Sequence, residues 1–131
     1  MRTRRRVLVV NDDQRMTETT QSLLVAEGYD ARGALDGESA LAVLDEWPAD
    51  VIILDLRMPR LDGWAFLELQ LERGGAPRYS APIVVWSAAD RDGLERARQL
   101  GAAECLPAQS TSPDLLLATI ERLLINAPEI D

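Results

Sequence analysis

Apolar residues along this chain fall in short unbroken runs, and between the runs they recur every three or four positions. The runs are RVLVV (6–10), DVIILD (50–55), PIVVWS (82–87) and a weaker AECL (103–106), with YDARGA (29–34) as a poor fifth. Short apolar runs bounded by polar residues predict strands buried on both faces. The spaced patterns predict helices. Residues 14–27 carry Met16, Leu23 and Leu24 and stop at Gly28, a natural residue just past a helix end. Residues 37–47 carry Ala40, Leu41, Leu44 and Trp47 ahead of Pro48. Residues 63–73 carry Trp64, Phe66, Leu67 and Leu71 and stop at Gly74-Gly75. Residues 90–100 start at the N-cap Asp90 and end at Gly101, and residues 113–125 follow the cap Ser112 with Pro113 in the first helical position.

Strands that alternate with helices predict a parallel sheet covered on both faces, an α/β fold. Right-handed crossovers restrict its topology. In such sheets sites form beyond the carboxyl ends of the strands. Asp12 and Asp13 follow the first strand, Asp55 ends the third and Ser87 ends the fourth. Three strand ends therefore direct acids and a hydroxyl toward one pocket. No internal repeat or linker interrupts the 131 residues, which predict one domain over 1–131 with an ordered core of about 5–126.

Composition narrows the chemistry. Net charge is −8, with no His, one Cys, and 14 basic residues that are all Arg. The acidic balance argues against nucleic-acid binding by this domain. Without His, a His-based acid–base pair cannot form, and with one Cys a zinc site cannot. Without Lys there is no phosphate-binding loop of the Walker type and no Schiff base. Carboxylates remain, and they suit Mg²⁺ and phosphoryl transfer. The lone Cys105 excludes an internal disulfide and predicts a reducing, cytoplasmic setting. RTRRR at the start precedes too few apolar residues for a signal sequence, and no run approaches a membrane span. That Arg cluster is expected to be a solvated tail. Trp47 and Trp86 are expected to pack, and Cys105 to act as a small buried hydrophobe.

The stretch DLRMPRLDG (55–63) narrows the reading to a family. Asp, then Met-Pro three residues on, then Asp-Gly, resembles the phosphoacceptor loop of two-component response-regulator receiver domains. EGY, LDGESAL, PADVIILD, PIVVWSA and LGA extend the resemblance over essentially the whole chain. It implies a flavodoxin-like doubly wound sheet of five parallel strands in the order 2-1-3-4-5, with five helices. It implies that Asp55 takes a phosphoryl group from a partner histidine kinase or phosphotransfer protein, with Ser87 hydrogen-bonding that group. It implies Mg²⁺ held by Asp12, Asp55 and the backbone carbonyl of Arg57, with Asn11 or Asp13 acting through water. Asp12 lies 43 residues before Asp55, the family's spacing; a one-residue shift would instead pair Asp12 with Asp13. The resemblance further implies a phosphoacceptor rather than an enzyme, and a downstream output protein or domain as a second partner.

One part of the pattern fails. The family's fifth strand ends Lys-Pro with an aromatic residue three before the Lys, and here the text is GAAECLPAQS. An ungapped reading puts Cys105 at the aromatic position, Ala108 at the Lys and Gln109 at the Pro. Aligning Pro107 to the family Pro would put Leu106 at the Lys. Arg57 is either an ordinary exposed residue or a substitute cation leaning over Asp55. The alternative function that follows is a pseudo-receiver, a docking module that works without phosphorylation.

Overall fold

The structure, a computed structural model, describes residues 4–72 and 81–125. The strands are β1 (Arg6–Val10), β2 (Asp30–Ala34), β3 (Val51–Leu54), β4 (Ile83–Ser87) and β5 (Glu104–Pro107). The helices are α1 (Gln14–Ala26), α2 (Gly37–Glu46), α3 (Gly63–Glu72), α4 (Arg91–Gln99) and α5 (Pro113–Ile125), with a 3₁₀ turn at Ala108–Ser110. All strand pairs are parallel and the order is β2-β1-β3-β4-β5. The expected flavodoxin-like architecture is present, including the weak second strand.

Alternation of side chains divides each strand between two cores. Leu8, Val10, Ile52, Leu54 and Val85 pack with Leu44 of α2, Phe66 and Leu67 of α3, and Ala97 of α4. Val7, Val9, Ile53 and Val84 pack with Leu24 of α1 and with Leu116, Ile120 and Leu124 of α5. The sheet is thus covered on both faces, which is why its three central strands β1, β3 and β4 are apolar runs. Helix starts are fixed by short polar caps. Asp13 accepts from the Met16 N–H at 3.1 Å, Asp36 from Ser39 at 2.7 Å and Asp90 from Gly93 at 2.8 Å. α1 stops where Gly28 enters the left-handed region at φ 96°, which lets Tyr29 N–H reach the Leu24 carbonyl.

Three sequence expectations need correction or limits. Helical spacing puts Met16 and Leu71 among the apolar positions of α1 and α3, but they are 41% and 63% exposed. The Arg cluster is not simply a solvated tail. Arg4 is exposed, but Arg5 is half-buried and lies 3.9 Å from Asp50, and Arg6 opens β1 with its guanidinium 5.3 Å from the Trp47 ring centroid. The stop at Gly74-Gly75 and the polar end after residue 125 lie outside the described residues.

Candidate functional site

The first, third and fourth strands deliver their next residues to one cavity. It encloses about 330 Å³ and is lined by Asn11, Asp12, Asp13 and Met16 from the first turn of the chain after β1, by Asp55, by Trp86, Ser87 and Ala88, and by Ala108. Asp55 sits at its centre. Its backbone N–H donates to the Val10 carbonyl at 2.9 Å, so the β1–β3 ladder itself fixes the residue. The Ser87 hydroxyl donates to Asp55 Oδ1 at 2.9 Å. The same Oγ accepts from the amides of Leu56 at 3.4 Å and Ala89 at 3.3 Å. Ser87 therefore joins the ends of β3 and β4 and spends its one proton on the carboxylate.

Burial pushes the Asp55 carboxyl above the ordinary carboxylate range. The Ser87 hydroxyl and the Arg57 amide, which donates to Oδ1 at 3.5 Å, pull it back, and the negative charge of Asp12 pushes it up again. No cation enters this balance. Arg57 is exposed, so of its two expected placements the structure shows the solvent-facing one. Gly63 closes the back of the loop: a Cβ there would lie 2.5 Å from Leu56 Cα and 2.6 Å from the Asp55 carbonyl oxygen. Between them Arg60 takes a left-handed φ of 61°, the only non-glycine residue with positive φ among the described residues.

The acids after β1 divide their roles. Asp13 caps α1, and Asn11 Oδ1 accepts from the Asp13 N–H at 2.9 Å. Asp12 lines the cavity beside Asp55 with a carboxylate that has no hydrogen-bond or ion-pair partner among the described residues. No group of three or more His, Cys, Asp or Glu side chains is placed to hold a metal among the described residues. The Asp12 and Asp55 carboxylates that line the cavity are hard oxygen donors of the kind that suit Mg²⁺.

Residues 7–121 match the response regulator receiver domain family. The chain belongs to that family. This receiver domain is 35% identical over 116 residues to the transcriptional regulatory protein PdtaR of Mycobacterium tuberculosis, covering 87% of this chain and 54% of PdtaR. It is 30% identical to the protein PilG of Pseudomonas aeruginosa, covering 85% of this chain and 82% of PilG. The receiver domain of a response regulator from Bermanella marisrubri superposes with a TM-score of 0.83 at 30% identity, covering 93% and 99% of the two chains. Chemotaxis protein CheY4 of Vibrio cholerae superposes at 0.81 with 27% identity, covering 92% and 99%. The chain spans about half the length of several of the curated relatives it matches, PdtaR among them.

The departure from the receiver pattern is visible in the cavity wall. Ala108 lines the cavity, as the ungapped reading places it, while Leu106 packs with the α1/α5 core. Gln109 donates to the Ala88 carbonyl at 3.4 Å and not to Asp55. Cys105 is half-buried against the other core, where burial pushes its thiol up. Trp86, expected to pack, also lines the cavity, and so does Met16, which helical spacing marks only as an apolar position of the first helix. The available signal for Met16 was its position three residues after the cap Asp13, which puts it on the same turn. No helix among the described residues is long and apolar enough to cross a membrane.

Proposed function

We propose that this receiver domain accepts a phosphoryl group on Asp55 from a partner histidine kinase or phosphotransfer protein, in a Mg²⁺-dependent relay of the cytoplasm. The observation that carries the reading is the half-buried Asp55 carboxylate held by the Ser87 hydroxyl at 2.9 Å and facing the same cavity as Asp12. One Asp55 oxygen attacks phosphorus, the new O–P bond forms as the donor's N–P bond breaks, and the electron pair leaves with the donor imidazole. Asp55 acts as its anion, with the Ser87 proton and the Arg57 amide keeping charge on the carboxylate despite burial. The Ser87 hydroxyl, which now donates to Oδ1, would be free to donate to an oxygen of the phosphoryl group instead. Asp12, Asp55 and the Arg57 carbonyl would hold Mg²⁺, with Asn11 or Asp13 acting through water; the ion neutralises charge on the phosphoryl oxygens. The modified domain then acts on an output protein or a domain of its own parent chain.

A second reading, the phosphorylation-independent docking module, draws on one observation. With Ala108 in the wall and Arg57 exposed, no cation among the described residues lines the cavity. Intact-mass spectrometry after incubation with acetyl phosphate and Mg²⁺ separates the two. One phosphoryl group adds about 80 Da. We expect that addition in the intact protein and in Asp13→Asn, and none in Asp55→Asn. Unmodified protein at saturating donor would establish the docking module instead.

A further inference from the structure

Helix α4 is weakly anchored by apolar contact. Of its residues only Ala97 is buried, with Leu94 and Leu100 half-buried beside the core. A helix with so little buried surface opens more easily than its neighbours. Its first turn is held by α3 instead. The Trp64 indole Nε1 donates to the Gly93 carbonyl at 2.9 Å. The ring lies close against the same glycine: a Cβ on Gly93 would be 3.0 Å from Trp64 Cζ2. One turn on, the Arg96 guanidinium is 5.7 Å from the Trp64 ring centroid and 3.9 Å from Glu68 of α3.

The other end of this contact is fixed firmly. Trp64 follows Gly63, whose N–H donates to the Leu56 carbonyl at 2.9 Å and whose Cα stands directly on the Asp55–Leu56 backbone. The anchor is therefore the loop that carries Asp55. We propose that the Trp64 indole is a latch that ties α4 to this loop, so that α4 opens as a local unit when the latch releases. The arrangement goes beyond the phosphoacceptor reading, and its test does not depend on phosphorylation.

Amide hydrogen exchange on the whole chain tests the latch. Trp64→Phe keeps a ring and removes the N–H donor. We expect exchange at residues 94–100 to rise about three- to tenfold, the effect of one lost hydrogen bond. Trp64→Ala should raise it about thirtyfold or more, and Arg96→Ala about twofold. Amides of α1 and α5 should keep their wild-type rates in Trp64→Phe. So should the Gly63 amide, because the fixed end stays in place. Unchanged α4 exchange in Trp64→Phe would overturn the proposal. So would a rise by one common factor in every helix, or loss of Gly63 protection together with α4.

Discussion

The two ends of the sheet carry opposite charge and treat it in opposite ways. At the amino end Asp50 accepts the Arg6 N–H at 2.7 Å and lies 3.9 Å from Arg5, while Arg6 and Arg32 both lie over the Trp47 ring, at 5.3 and 4.9 Å. The acid there is matched by bases, and the indole lies against the guanidinium groups. At the carboxyl end Asp12 and Asp55 share one cavity with no cation among the described residues in its wall. The contrast separates charge that holds the fold from charge held ready for a reaction. An acid at the amino end lowers the free energy of the folded state; an acid in the cavity raises it unless something arrives to neutralise it.

Removing the matched acid should have the largest effect on stability. Asp50→Ala leaves the Arg6 amide and the Arg5 guanidinium without this acceptor, in a half-buried place. Hydrogen bonds to charged groups are worth roughly 1.5–3 kcal/mol, so we expect a loss of about 2 kcal/mol in urea unfolding at neutral pH. A change below about 0.5 kcal/mol, the level of an ordinary surface substitution, would mean that the amino end is no better matched than the cavity.

The same contrast explains how much the sequence revealed. The fold was legible because the central strands β1, β3 and β4 are apolar runs, and a sheet buried on both faces leaves little else for such runs to do. The acids were legible because strand ends converge. The resemblance to a family assigned their roles, but only geometry shows Asp13 spent on a helix cap and Asp12 left open. The amino-end arginines were misjudged. A charge run usually stays in water, and nothing local to RTRRR announces Asp50 or Trp47, which lie more than 40 residues away and meet Arg5 and Arg6 only through the β1–β3 pairing and the return of α2. Met16 and Leu71 failed for a related reason: helical spacing names a face, but not which turns of that face reach the sheet.

Placing a cation in the cavity wall sharpens the comparison from the other side. Ala108→Lys would add an ammonium group where the wall is now a methyl. A unit pair at about 4 Å is worth roughly 4 kcal/mol at an effective dielectric of 20, and water in an open cavity reduces that. We expect phosphorylation by acetyl phosphate to speed up about tenfold, equivalent to roughly 1.4 kcal/mol in the barrier. Leu106→Lys should leave the rate unchanged, because Leu106 faces the α1/α5 core. Acceleration by Leu106→Lys and not by Ala108→Lys would show that the cavity wall is drawn at the wrong residue.

The smallest effect, and the most direct break of the comparison, is on stability at Asp55. Burial holds the folded-state carboxyl above its ordinary range, with Asp12 adding to the shift. The folded protein therefore binds this proton more tightly than the unfolded chain does. Stability must fall as pH rises from the unfolded carboxylate range through the folded value, and the cost is fully present only above the latter. Asp55→Asn removes the charge while leaving an oxygen to accept from Ser87. At pH 7 we expect it to stabilise the fold by about 1 kcal/mol or less, since the group is half-open to water, or a rise in Tm of about 4 °C at most. Near pH 3 the carboxyl is protonated in the folded state, and the difference between variant and parent should vanish. Thermal melts of Asp55→Asn and of the parent against pH would then form curves that separate toward neutral pH and close together at low pH. Parallel curves would show that the acid in the cavity is as well matched as the acid at the amino end, and that the division between structural and reactive charge does not hold in this receiver domain.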